Sequence, residues 1–279
     1  MNAPVADAAT KSPTTPRADH AVRARAYWAA NLDPQNLERR GAGWRGLDLD
    51  EEISMAGTPE IEAARLWLEG VAPERGVVLD LGAGLGAVSF HLARHGWDVL
   101  CLDASPARLR ALRRRAAQAG LKGRVHAVAG LAEALPLADA GLPAVVTKSV
   151  LIHTDLEAAL AELARVLRSG GRAALIEPQA RHPIAWLYRR TLAPRAWRAI
   201  TRYFDESAQG RCLKAIGSGR VEPFYLLAFV AFAFQYAWPR PGAFRRLLSP
   251  LARFDAWLLR RWPRLKRWAW FGVILAERA

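Results

Sequence analysis

Cysteine is scarce: Cys101 and Cys212 are the only two in 279 residues. That excludes a disulfide framework, and their separation excludes a cysteine-based metal centre. No apolar run reaches the roughly 20 residues a spanning helix needs; the uncharged stretch from Pro223 to Pro239 has seventeen and is marginal. Residues 1–18 hold Ala, Pro, Thr and charge without the apolar core of a signal peptide, so disorder and a cytoplasmic location are expected. His91, His95 and His126 have no spaced partners, and no metal is expected. No serine or cysteine lies in a nucleophile-elbow pattern. Acidic residues are lacking from the last third. Residues 1–180 hold 21 Lys and Arg against 21 Asp and Glu, whereas residues 181–279 hold 19 against 5 and carry the whole net charge of +14.

What the chain does have is an apolar strand, Val77 to Leu81, running into Gly82-Ala83-Gly84-Leu85-Gly86 and then a helix over Ala87 to Arg94. Alternating glycines let a backbone turn sharply beside a ligand, and the helix start that follows favours negative charge. A second strand, Trp97 to Leu102, ends in Asp103, seventeen residues after Gly86, where a carboxylate can accept both ribose hydroxyls.

This pattern resembles the class I S-adenosylmethionine (SAM) methyltransferases, most closely the group acting on quinones, sterols and other lipids. The resemblance runs from about Glu60 to Pro178, through Glu133-Ala134-Leu135-Pro136-Leu137, the strand Ala144 to Ser149, and Arg165-Val166-Leu167-Arg168-Ser169-Gly170-Gly171. It implies an α/β fold, a Rossmann-like seven-stranded sheet with helices on both faces, preceded by a cap helix over Asp19 to Asn31. The implied organisation is a cap segment at 19–57, a SAM-binding core at 58–222, a helical insertion at 223–266 and a final strand at 267–279. Gly219 to Glu222 and Trp268 to Leu275 are the expected antiparallel pair.

With SAM as cofactor, the resemblance assigns Asp80, Gly82, Gly84 and Gly86 to the methionine part, Asp103 to the ribose, Ala104, Leu131 and Ala132 to the adenine edge, and Lys148 to the floor near the sulfur. Leu131 and Ala144 stand where the family has aspartates. The expected proton acceptor is His153, just past the fourth strand, with His182 second. Tyr27 and Trp28 either cap the ligands or pack the core.

The last third also carries seven of the eleven tryptophans. Arginine with tryptophan suits an anionic membrane surface or stacked bases on a phosphate backbone. The run at 223–239 favours the membrane, because nucleic acid has no use for it. Two short helices, from Pro241 and from Pro250 after Ser249, are expected there, the second with Leu251, Phe254, Leu258 and Trp262 on one apolar face. The reading is therefore a methyltransferase for a lipophilic small molecule, peripheral or monotopic on the inner face of the cell membrane, with no nucleic-acid partner and a homodimer through the apolar helices as an option. An RNA methyltransferase with a basic tail, or a non-catalytic membrane-anchored relative, is the alternative.

Overall fold

Short runs of Val, Leu, Ile and Ala bounded by glycine or charge build the sheet. Strands buried on both faces tolerate near-continuous apolar sequence, unlike strands with one wet face. The computed structural model describes residues 16–30, 49–71, 76–238 and 240–279. Its strands are β1 (Val77–Leu81), β2 (Asp98–Asp103), β3 (Val125–Ala129), β4 (Leu142–Lys148), β5 (Leu167–Pro178), β6 (Gly217–Phe224) and β7 (Phe271–Arg278), in the order β3-β2-β1-β4-β5-β7-β6. The first five are parallel, and β7 runs antiparallel between β5 and β6. Sheet and helices are the expected α/β methyltransferase architecture. The strand order reverses between β1 and β4, so ligands have their natural crevice at the carboxyl ends of those strands.

The helices are α1 (Pro16–Ala30), α2 (Leu49–Ala56), α3 (Pro59–Glu69), α4 (Ala87–Arg94), α5 (Pro106–Gln118), α6 (Leu156–Val166), α7 (Pro183–Thr191), α8 (Arg195–Ile200), α9 (Glu206–Ile216), α10 (Ala233–Tyr236) and α11 (Pro241–Arg261). Side-chain caps start several of them. Ser105 accepts from the N–H of Arg108, Asp155 from those of Glu157 and Ala158, and Asp205 from that of Ala208. Val78, Phe90, Val99 and Val146 lie in one core with α3 and α4, while Leu79, Leu160, Leu163 and Cys212 lie in the other with α6 and α9. Residues 1–15 and 31–48 fall outside the described residues, and so does most of the segment expected to be disordered.

The C-terminal insertion differs from expectation in two ways. First, residues 223–238 form no single helix: β6 runs on to Phe224, a 3₁₀ turn covers Ala228–Phe232, and α10 is one turn long. The first core takes up Tyr225, Ala228, Ala231 and Phe232, which leaves less apolar length for a membrane. Among the described residues no helix is long and apolar enough to cross a bilayer. Second, the two helices expected from Pro241 and Pro250 are one, with Pro250 inside it. Phe244, Leu248, Asp255 and Leu259 make one buried stripe, and keeping it in register offsets the hydrogen bond that proline removes. Phe254 and Trp262, on the apolar face expected here, are 47% and 46% exposed.

One buried acid adds to the apolar packing of the insertion. Asp255, 2% exposed, accepts hydrogen bonds from the N–H groups of Leu226, Leu227 and Ala228 at 2.8–3.1 Å, capping the 3₁₀ turn from across the fold.

Candidate cofactor and acceptor site

The glycine loop is pinned to β2. The N–H groups of Gly82 and Ala83 donate to Leu102 O at 2.7 and 3.0 Å, and that of Gly84 donates to Asp103 Oδ2 at 3.0 Å. Gly82, Gly84 and Gly86 have φ of 74°, 57° and 91°. A side chain is costly there: a Cβ at Gly82 would collide with Val150, and one at Gly86 would lie 2.6 Å from Phe90.

Asp103, at the end of β2, also accepts from the N–H of Ser105 through Oδ1 at 2.8 Å. Each oxygen thus holds one backbone donor and keeps lone pairs for two vicinal hydroxyls. β3 ends with Ala129 opposite Asp103, so Leu131 and the buried Ala132 follow on the same edge. Leu131 brings no polar side chain to that edge. Ala104 is exposed at the rim.

Asp80 lies below the loop. It is buried in mid-strand with Oδ2 2.5 Å from Ser89 Oγ, which ties β1 to the first turn of α4. Burial pushes its carboxyl up to about 6, opposed by Ser89 and reinforced by the Asp103 charge.

His153, on the turn after β4, is buried, with Nδ1 2.8 Å from Ile200 O. A carbonyl only accepts, so Nδ1 carries the proton and Nε2 the lone pair. Burial pushes this imidazole down to about 4, so it is neutral at neutral pH. Its ring lies 5.4 Å from Trp28 and 5.2 Å from Trp197, both edge-on, and the Arg108 guanidinium lies 4.3 Å above Trp28. Tyr27 touches both tryptophans. The cap helix α1 therefore reaches over the β2 and β4 ends, and Arg25 approaches Glu133 at 4.0 Å.

His182 is elsewhere. Its Nδ1 accepts from the N–H of Ala185 and its Nε2 contacts Leu226 O at 3.1 Å, so both nitrogens are used in joining α7 to the insertion. Lys148 does sit at the end of β4, but as half of an ion pair: Nζ is 2.7 Å from Glu60 Oε1, and the Tyr225 hydroxyl donates to Glu60 Oε2. Burial alone would raise the Glu60 carboxyl; Lys148, Tyr225 and Thr58 outweigh it and hold it below the usual range.

Four contributors went unread in the sequence. Glu60, Arg108 and Trp197 carry no local motif, since their roles depend on contacts across 44 residues or more. Glu177, at the end of β5, takes the Thr147 hydroxyl and the N–H groups of Val150 and Leu151 on Oε1 at 3.0–3.2 Å, fixing the turn that presents His153. Its burial pushes it up to about 7. His91 and His95 have no partner in the sequence pattern; the fold brings Glu62 to them.

Residues 78–171 match the family described as "Methyltransferase domain". Residues 78–171 carry a methyltransferase domain. An uncharacterised methyltransferase of Mycobacterium tuberculosis is 36% identical over 121 residues, 43% of this chain and 46% of that protein. The demethylmenaquinone methyltransferase of Thermobifida fusca is 43% identical over 103 residues, 36% and 43% of the respective chains. The chain thus spans less than half the length of these curated relatives. In structure, the geranyl diphosphate C-methyltransferase of Streptomyces coelicolor superposes with a TM-score of 0.56 at 16% identity, over 96% of this chain and 100% of that one. At that identity the likeness speaks for the fold. Within the methyltransferase domain, the loop, Asp103 and His153 all occupy the carboxyl edge of the sheet.

Proposed function

We propose that this chain transfers a methyl group from SAM to a lipophilic acceptor taken from a membrane surface. The observation that carries the reading is the juxtaposition, at one sheet edge, of a pinned glycine loop, a carboxylate with spare lone pairs and a neutral imidazole walled by tryptophan. These residues fit the cofactor: the loop offers backbone without Cβ atoms, and Asp103 suits a ribose diol. When bound, SAM supplies an electrophilic methyl on a sulfonium whose leaving group is neutral.

The protein's own work is then modest. Asp103 and the close approach that the Cβ-free loop allows orient the donor, Leu131 and Ala132 contact the adenine edge with Ala104, and Trp28 and Trp197 exclude water from the reacting edge. His153 accepts a proton from the acceptor through Nε2, with Nδ1–H held by Ile200 O throughout. Lys148, neutralised by Glu60, serves as floor rather than as a free charge.

The lipophilic acceptor and the membrane draw support from the exposed aromatic residues of α7 and the insertion, among them Trp186, Trp238, Phe254, Trp257 and Trp262. Phe254 and Trp257 stack at 5.5 Å, and Trp257 meets Trp262 at 5.7 Å, in a segment with Arg253, Arg260, Arg261, Arg264 and Arg267. Exposed clustered aromatics ringed by cations suit the headgroup region of an anionic leaflet.

The test is transfer of labelled methyl from SAM into a total lipid extract and, in parallel, into total RNA, with Asp103→Ala as blank; Asp80→Ala is a poor blank because Asp80 is buried structure. Label in the organic phase supports the reading. Label in RNA replaces it with a nucleic-acid methyltransferase, and absence of SAM binding with a non-catalytic relative.

A further inference from the structure

Away from the sheet edge, α3 passes α4 where three metal-ligating side chains converge. Glu62, His91 and His95 can each place a ligand atom within 4.8 Å of the other two, and among the described residues this is the one such cluster. We propose that these three residues form a binding site for a zinc-class divalent transition metal that clamps α3 to α4.

Two imidazoles and a carboxylate are the donor set of three-ligand zinc sites, which leave a fourth position to water. His91 and His95 are four residues apart at the end of α4, so they share a face, and their rings lie 4.5 Å apart. His91 is only 7% exposed, and its Nε2 lies 2.5 Å from Glu62 Oε1, so these two donor atoms already face each other.

The surroundings act as an outer shell. His95 Nδ1 is 2.8 Å from His91 O and must donate to it, which leaves Nε2 as the lone-pair atom. Arg65 donates to the second oxygen of Glu62 through Nε at 2.9 Å, leaving Oε1 toward the histidines. Gly57 makes room for the His91 ring: a Cβ there would lie 2.8 Å from Cε1. Glu62 is partly exposed and His95 exposed, which gives an ion a way in. A clamp here braces α3, which carries Glu60, against α4, which opens on Gly86.

The experiment is titration of the tag-free, chelator-treated full chain with Co²⁺, read by ligand-field absorption, and with Zn²⁺, read by calorimetry and by thermal melting. One Co²⁺ per chain with tetrahedral-type bands, and a melting point raised by Zn²⁺, is the expected result. His95→Gln removes an exposed ligand without disturbing the core. Because losing an outer-shell partner already costs about 10–100-fold in affinity, losing a ligand should cost at least about tenfold. His126→Gln, an exposed histidine elsewhere, should bind like the parent. Absence of bands, equal binding by His95→Gln, or equal loss in His126→Gln overturns the site. None of these readouts depends on methyl transfer, so the proposal stands or falls apart from the function above.

Discussion

Burial takes His153 from an ordinary histidine to one that titrates at about 4. The unfolded chain takes up a proton at this residue near 6.5, which the folded chain refuses until about 4, so this group withdraws stability as pH falls through that window. By pH 4 the withdrawal amounts to about 3 kcal/mol, because each pH unit between the two titrations is worth about 1.4 kcal/mol. His20, His91 and His182 are lowered too and act in the same direction, whereas Asp80 and Glu177 are raised and act in the opposite one. The informative comparison is therefore parent against His153→Gln. Urea midpoints at pH 7.5 and pH 5 should fall less on acidification in the variant. On the proposed function, in which His153 takes the acceptor's proton, the variant should also lose methyl transfer while keeping SAM affinity. Asp103→Asn should do the reverse. Weakening charge-assisted hydrogen bonds to the ribose should cost about 10–100-fold in SAM affinity by calorimetry, with unchanged circular dichroism.

Elements in this chain obey their local signals except where a longer contact outvotes them. Pro250 after Ser249 is a sound start signal for a helix, yet α11 continues through it because Phe244, Leu248 and Leu259 are buried along one stripe. The same helix carries Asp255 to the 3₁₀ turn at Ala228–Phe232, a contact bridging 27–29 residues of chain. Asp255→Ala leaves three backbone donors without their acceptor. Losing the cap and stranding those groups should destabilise the protein by about 2–4 kcal/mol, read as a lower urea midpoint. Asp255→Asn, which keeps one acceptor oxygen, should lose less. A result near zero for Asp255→Ala would mean that the insertion is held by apolar packing alone.

Across the whole molecule the charge is lopsided, neutral up to residue 180 and strongly basic beyond it. The basic part also shows the exposed aromatic residues of α7 and α11, two excursions from the sheet tied together through Leu226: its O meets His182 and its N–H meets Asp255. This arrangement predicts flotation with anionic vesicles, weaker flotation with zwitterionic ones, and loss of binding as salt rises. Phe254→Ser with Trp257→Ser should reduce vesicle affinity about tenfold or more, since each half-exposed ring forfeits about 1 kcal/mol of transfer free energy, and should leave the fold intact. Self-association through the same rings, measured by ultracentrifugation without lipid, is the outcome that would assign this face to a second copy instead.

Periodicity and glycine placement announced the sheet because β1, β2 and their loop are made by neighbours in sequence. A run such as Val77 to Leu81 must be buried, and Gly82, Gly84 and Gly86 meet a local demand for positive φ. The fourth and fifth strands and the antiparallel end of the sheet were expected from the family resemblance, to within a few residues. His153 and Asp103 were legible as strand-end positions. Their surroundings were not: Trp28, Arg108 and Trp197 meet around His153, Glu60 claims Lys148, Glu177 ties the turn after β4, and Glu62 joins His91 and His95. Each of these is a contact between distant segments. Composition alone showed that the last third is basic and aromatic, but which of its rings face water was settled by packing. The core accepted Tyr225, Phe232 and Phe244, and left Phe254, Trp257 and Trp262 outside. A sequence lists the apolar groups available, and the finite volume between sheet and helices selects which of them are buried.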